Sequence, residues 1–512
     1  MPSHRGPSAR TLIGVDIGSN SIKAVLLAPG KGVLHVARRA TETHPVRGGG
    51  AYHRPSELLA GVSSAVAECV SAAGRSGRPA GIGIASMSEA GVPIDRRGLP
   101  VGEILTWYDP RPERQSAWLE RQIGAAQLFA RTGLRPEPKY TLAKLLWLRE
   151  QRAADFTRLR RWAGVAEMVG LDLTGELATN ASLACRTLAF DVTTRAWDPE
   201  LLGLASLGPD EMPVVLPLGR PAGGLTPAAA NRLGLPAGTP VAIAGHDHMA
   251  AAMGAGVTSP GDVLDSMGSA EAALLVTREP SLTEEVRRGG FSTGCHAVDG
   301  VSYVVGGLQS SGALIEWFVD TFLAAPGTDA PGVDRYARFT ALLERAGSGP
   351  VEPIVRPYLR GRTAPHRDPS ATLEFEGLRE THDLSVLAAA IVDGAAYHVR
   401  WMLDELARIT ATPLDRVRVT GGGVRNKRWV TAKAALGPGR LEVVRTEEAA
   451  ALGAALVAGV AAGAYGSVAD ALADSSPFDR VVAPAGVRAR YDAAYLDRWL
   501  PATITHLRQN GA

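Results

Sequence analysis

Residues 14–27 read GVDIGSNSIKAVLL. An apolar run reaches Asp16 and breaks into a small-residue turn, Gly18-Ser19-Asn20-Ser21, before a second apolar run leaves. Glycine and asparagine are ordinary residues of a β-hairpin turn. The same turn could also bind phosphate, with Asp16 held near a metal ion on that phosphate. A second stretch, GDVLDSMGSAEAALLV from residue 261, repeats the pattern at Asp265, Gly268 and Ser269, with one extra residue in the turn. The offset from Asp16 to Asp265 is 249 residues, close to half of the chain. Similar strand-turn-strand units opening each half suggest two related domains. Two such hairpins facing each other across a cleft would cradle one nucleotide. Coincidence between two short Gly-Ser turns is the competing reading.

The segment AGHDHMAAAMGAG places Asp247 where an apolar strand ends and a helix begins. Aspartate is a preferred helix N-cap. It also suits a general base that takes the proton of a sugar hydroxyl during phosphoryl transfer, worth about 10²–10⁴-fold, in addition to electrostatic positioning. His246 and His248 flank it, but no third ligand suggests zinc. In VTGGGVRNKRW, residues 419–429, three glycines end an apolar strand. A backbone without side chains permits positive φ and close approach of a flat ligand such as adenine. A tight turn would need only one of them. Neither the P-loop motif nor the dinucleotide fingerprint is present.

These groups need a scaffold, and the sequence alternates strands and helices. GIGIAS (81–86), PVAIAGH (240–246), YVVGG (303–307) and RVRVT (416–420) read as strands. TLAKLLWLREQ (141–151), SSGALIEWFVDTF (310–322) and the long segment 384–409 have helical periodicity. The class is α/β. The Pro- and Gly-rich run 206–240 reads as an irregular excursion, and VTSPGD supplies a boundary near 257–262. The expected organisation is a disordered tail at 1–10, domains at 11–257 and 258–500, and a C-terminal tail at 501–512.

A chain of 512 residues is too long for one core. The net charge of +2 and the 46% hydrophobic content indicate neither a nucleic-acid nor a membrane surface. No 18-residue apolar stretch stands out as a membrane span, and the start MPSHRGPSAR lacks the apolar core of a signal peptide. Cys69, Cys185 and Cys295 lie far apart, with no metal spacing or disulfide framework. That fits a reducing cytoplasm.

Together the constellation resembles the FGGY family of carbohydrate kinases. The resemblance rests on GVDIGSNSIKAVLL, AGHDHMAAAMGAG, DSMGSAEAALL, YLRGRTAPHRDPSATLEFEGL (358–378) and GGGVRNKRW with EEAAALGAALVAG, in register from about residue 11 to the closing YDAAYLDRWL. It implies two ribonuclease-H-like domains of the actin-like ATPase type, with ATP and sugar in the interdomain cleft and magnesium on the phosphates. By matching position it implies Asp247 as catalytic base and Asp16 as the acid near the magnesium. Ser19, Asn20, Ser21 and Lys23 fall on the first phosphate hairpin, and Gly268 and Ser269 on the second. Gly312 falls on a nucleotide-contacting helix start, and Gly422, Gly423 and Asn426 on the adenosine site. Ser88, Glu89, Trp107, Lys139 and His248 join Asp247 in the substrate pocket. The competing readings are a core role for Trp107 and a solvated surface position for Lys139.

The chain departs from the family pattern in places. The second loop reads Gly-Ser where the family usually has Gly-Thr. Ser88 stands where glycerol kinases carry arginine, and Lys139 where they carry a pocket tyrosine. Ser86-Met87-Ser88 replaces the Gln-Met-His typical of xylulokinases. The expected activity is ATP-dependent phosphorylation of a ketose or polyol longer than glycerol, with a pentulose the first candidate. Small-molecule substrate, and at most a second copy of the chain as a homodimer, are the expected partners. A non-catalytic sugar-sensing regulator on the same fold is the alternative; it would need a lost base, a lost loop or an added DNA-binding segment. An ATPase whose output is motion would leave Glu89 and Trp107 unexplained.

Overall fold

The computed structural model describes residues 10–74, 77–323, 335–446, 448–475 and 478–509. The first half is built on a six-stranded sheet. Its strands are β1 (Thr11–Ile17), β2 (Ser21–Ala28), β3 (Gly32–Ala40), β4 (Pro79–Ser86), β5 (Gly223–Gly224) and β6 (Pro240–His246), in the order β5-β6-β4-β1-β2-β3. β1, β2 and β3 run antiparallel in sequence, whereas β4 is parallel to β1 and β6 parallel to β4. Every residue of β1 is buried, which explains its continuous apolar run: a central strand is covered on both faces.

The second half repeats this plan. Its strands are β7 (Asp262–Met267), β8 (Glu271–Thr277), β9 (Ser292–Cys295), β10 (Ser302–Leu308), β11 (Arg416–Thr420), β12 (Arg440–Val444) and β13 (Phe478–Val481), in the order β9-β10-β8-β7-β11-β12-β13. β7 and β8 are antiparallel, as are β8 and β10; β11 runs parallel to β7 and β12 parallel to β11. The block β10-β8-β7-β11-β12 therefore copies β3-β2-β1-β4-β6. This is the duplicated ribonuclease-H-like arrangement, and each Gly-Ser turn joins the first two strands of its copy.

Four helices matter for the site: α1 (Thr141–Gln151), α2 (Asp247–Gly254), α3 (Leu384–Thr410) and α4 (Lys427–Leu436). A fifth, α5 (Ala449–Ala461), follows β12 of the second sheet but lies against β1 and β4 of the first. The contact is backbone on backbone. A Cβ on Gly14 would sit 1.9 Å from the carbonyl oxygen of Ala451, and one on Gly83 1.9 Å from that of Ala454. Only glycine on the strands and alanine or glycine on the helix permit this approach. The two halves thus share one continuous interior at α5.

α3 is the one helix among the described residues long and apolar enough to cross a membrane, and 83% of its most apolar window is buried inside the protein. It is the core helix of the second half. Two expectations are corrected. The run 206–240 is not wholly irregular, because Thr226 caps a helix at Pro227–Leu233. The chain end is not a free tail, because Leu500–Gln509 form a helix that buries Thr503 and Leu507. Residues 1–9 of the expected N-terminal tail lie outside the described residues.

A smaller five-stranded sheet is attached to the first half. It pairs Gly91–Ile94 with Arg161–Gly164 and contacts Ile104–Leu105. Glu89 lies in the turn entering this sheet and Trp107 just after its strand Ile104–Leu105.

Candidate active site

A cavity of about 800 Å³ opens between the halves. Seven of the residues singled out from the sequence line it: Ser19, Ser88, Glu89, Trp107, Lys139, Asp247 and His248. Residues of β8, β10 and the 360–369 loop close it from the second half.

Asp247 is the first residue of α2, preceded by His246 as N-cap. Its Oδ1 accepts the backbone N–H of His248 at 2.7 Å and faces Nε2 of His246 at 3.0 Å. The His246 and His248 rings stack, 5.1 Å apart and 4° from parallel. Burial raises the pKa of Asp247, but His246 and His248 outweigh it and hold the carboxyl below its usual range. The carboxylate is therefore ionised and oriented, with one edge turned to the cavity wall. No group of three His, Cys, Asp or Glu side chains placed to hold a metal ion occurs among the described residues.

Asp16 does not end its strand, since β1 runs on through Ile17. Its Oδ1 is buried without a hydrogen-bond partner. Burial, then the nearby charge of Asp247, push its pKa up to about 7, against the pull of Lys23. Asp16 thus presents a buried carboxylate oxygen with no protein partner, and Mg²⁺ is commonly held by one or two carboxylates plus substrate phosphates.

Glu89 takes a left-handed backbone, φ 62°. Arg186 grips its Oε1 from Nη2 at 2.6 Å and Nε at 2.8 Å, and the Ser88 hydroxyl donates to its other oxygen. Burial works against the charge, but Arg186 and then His246 overcome it and pull the Glu89 carboxyl down to about 2. Trp107 is 40% exposed, not a core residue; its Nε1 donates to Ser19 Oγ at 2.7 Å. Lys139 lines the cavity and is not free surface: its Nζ lies 2.6 Å from Glu137 and 5.2 Å from the Tyr140 ring centre.

Apart from Ser19, the expected phosphate and nucleotide residues lie beyond the cavity lining. Gly18-Ser19-Asn20 form the β1–β2 turn, with Asn20 exposed and Ser21 opening β2. Lys23 does not offer a free ammonium: it pairs at 2.9 Å with Glu448, which also accepts Arg38 at 2.7 Å. Glu448 stands immediately ahead of α5, so this pair ties the second half to the first hairpin. Gly268 and Ser269 form the β7–β8 turn. The Gly312 N–H is spent on the Gly268 carbonyl at 3.1 Å, so Gly312 supports that loop from the start of its helix. Gly422 and Gly423 begin a short 3₁₀ turn after β11, and Asn426 caps α4 by accepting the Trp429 N–H at 3.1 Å.

Sequence reasoning missed Arg186, Glu137, Tyr303 and the arginines Arg360, Arg362 and Arg367, all of which line the cavity. Arg186 carries no motif, and only the fold brings it to Glu89, 97 residues away. The 360–367 arginines lay inside a stretch quoted for the family resemblance, where their charge was the available signal.

The duplicated fold with a cleft between its halves, lined by acidic and basic side chains alike, is that of a two-domain phosphotransferase. The model of the FGGY carbohydrate kinases' N-terminal domain matches residues 11–254, and that of their C-terminal domain residues 264–462. A gluconokinase of Bacillus subtilis is 24% identical over 466 residues, 90% of each chain. A glycerol kinase of Gloeobacter violaceus is 29% identical over 483 residues, 92% of each chain. The crystal structure of a xylulose kinase from Rhodospirillum rubrum superposes with a TM-score of 0.87 at 27% identity, covering 98% of this chain and 99% of that one. The chain belongs to the FGGY family of carbohydrate kinases. It is a carbohydrate kinase of the kind that phosphorylates a small sugar or polyol with ATP.

Proposed function

We propose that the protein transfers the γ-phosphoryl group of ATP to a hydroxyl of a ketose or polyol longer than glycerol, with a pentulose the first candidate. The observation that carries this reading is the joint presence of Asp247, Glu89, Trp107 and Lys139 in the lining of one cavity. Asp247 accepts the hydroxyl proton as the sugar oxygen forms its bond to phosphorus and the bond to ADP breaks. Glu89, fixed by Arg186, accepts hydrogen bonds from sugar hydroxyls. Trp107 packs against sugar C–H groups, and Lys139 donates to a distal hydroxyl or a carbonyl oxygen.

Asp16 is the residue that would hold Mg²⁺, which supplies neutralisation of the phosphate charge when bound. The two Gly-Ser turns take the phosphates and Gly422, Gly423 and Asn426 the adenosine. A cytoplasmic setting accords with ATP as donor and with three cysteines that are all free thiols.

A sugar acid is a second reading, favoured by Arg360, Arg362 and Arg367 on the cavity's far wall. An ADP-release screen across pentuloses, hexuloses, tetritols, pentitols, aldonates and glycerol separates the two. Turnover with a neutral ketose or polyol well above that with an aldonate supports the first. Turnover with the aldonates alone supports the second, and turnover with none of these compounds overturns both.

A further inference from the structure

We infer that Lys144 is a positioning residue that sets the spacing between Glu89 and Trp107, and through it the length of sugar the pocket accepts. The inference rests on the proposed roles of those two residues in binding sugar. Lys144 lies on α1, and its side chain is wholly buried. Its Nζ donates to the carbonyl oxygen of Glu89 at 2.6 Å and to that of Thr106 at 2.7 Å. Thr106 directly precedes Trp107. One amine thus ties together the two loops that carry the pocket's acid and its tryptophan.

The tips of both side chains are anchored elsewhere: Glu89 by Arg186 and Ser88, Trp107 by Ser19. Behind the two loops the main chains are paired at Gly91 and Leu105, and Lys144 adds a second tie at Glu89 and Thr106 themselves. The tether has a particular use at Glu89, whose φ of 62° lies in a region that side-chain-bearing residues seldom adopt. The Thr106 carbonyl has another donor in the backbone N–H of Asp109, at 3.2 Å. An apolar residue at 144 would therefore leave the Glu89 carbonyl as the group that loses its partner.

A structural role alone is a poor account of this lysine. Lysine is almost never fully buried, and burial, followed by Arg111 and Lys139, brings its pKa down to about 7 against the pull of Glu89 and Asp109. The neighbours along α1 are apolar: Leu142, Ala143, Leu145 and Leu146 are all buried. A leucine or methionine at 144 would continue that face without the desolvation penalty, but it would leave the two loops joined only through the Gly91–Leu105 pairing behind them.

The test measures steady-state kinetics for Glu89→Gln, Lys144→Met and the double variant, with the best substrate from the ADP-release screen and its homologues one carbon shorter and longer. Lys144→Met is expected to raise the sugar KM about tenfold or more, the consequence of losing one buried hydrogen bond. The KM for ATP should stay within about twofold, since both carbonyls that Lys144 holds belong to the first half. Discrimination between chain lengths should narrow. Because Lys144 acts through Glu89, the double variant should lose less than the product of the single losses. Lys144→Gln keeps a donor and should recover part of the lost sugar affinity; it also serves if the methionine variant does not fold. Equal rises in both KM values, or multiplicative losses in the double variant, would overturn the positioning role. If Glu89→Gln itself leaves the sugar KM unchanged, the proposed pocket falls first. If Glu89→Gln raises it and Lys144→Met does not, only the Lys144 inference falls.

Discussion

Asp16 and Asp265 occupy matching places in the two halves of the chain, on the first strand of each sheet, and they meet opposite fates. Asp265 is buried against the ammonium of Lys433, 2.5 Å away, and Lys433 reaches Glu271 at 2.6 Å. Ser311 donates to the other oxygen of Glu271 at 2.5 Å. The lysine near Asp16, Lys23, is paired with Glu448 instead. Asp16 faces the charge of a second carboxylate, Asp247, and keeps a buried oxygen unpartnered. The duplication supplied two acids. Lys433 on α4 turned one into a brace in the strand that leads to the Gly268-Ser269 turn, and the charge of Asp247 on α2 opposes ionisation of the other.

The brace predicts a stability defect. Lys433→Met leaves two buried acidic groups without their cation, a change expected to cost roughly 3–5 kcal/mol. Denaturant titration of the variant should show that loss. Adding Asp265→Asn and Glu271→Gln to the same chain should recover most of it, because the stranded charges are then gone.

The brace also predicts a pH slope. One ammonium faces two carboxylates, and burial pushes Glu271 up to about 8. Between its ordinary value near 4.5 and that value, the folded chain holds a proton that the unfolded chain has released. Stability from this group therefore falls as pH rises through the interval. Glu271→Gln should flatten the dependence between about pH 5 and 8. An unchanged slope in the variant would remove Glu271 as its source.

At the proposed base, Asp247→Asn is nearly isosteric and cannot take a proton. Its kcat should fall by about 10²-fold or more, with the KM for ATP little changed. Near-normal turnover would leave Asp247 as the helix-start residue it also is.

The adenosine assignment is best tested at Gly422. A Cβ there meets nothing within 4 Å, whereas one on Gly423 would come within 2.8 Å of the Met267 Cβ. Gly422→Val should therefore raise the KM for ATP with little change in melting temperature, and Gly423→Val should destabilise the fold. A folded Gly422→Val enzyme with normal ATP affinity would place adenosine elsewhere.

Substrate choice can be read at Lys139. Glycerol should be a poor substrate, and Lys139→Met should weaken the sugar KM while sparing that for ATP. Efficient glycerol phosphorylation, or an unchanged sugar KM in the variant, would return Lys139 to its pairing with Glu137 alone.

The sequence by itself determined the repeat. Alternating strands and helices, and a Gly-Ser turn after the first strand of each half, are local patterns, because backbone geometry is set by near neighbours. Asp247 at a strand-to-helix junction and the glycines at 421–423 were legible for the same reason. The tertiary structure alone decided which charges meet. Lys23 offered a free cation in the sequence, yet Glu448, 425 residues later, arrives at its side because α5 crosses into the first half. Arg186 reaches Glu89, and Lys144 the carbonyls of Glu89 and Thr106, across distances that no periodicity records. Whether a buried carboxylate is a brace or an open ligand depends on which distant side chain the fold delivers to it, and so Asp16 and Asp265 could share a sequence pattern and not a role.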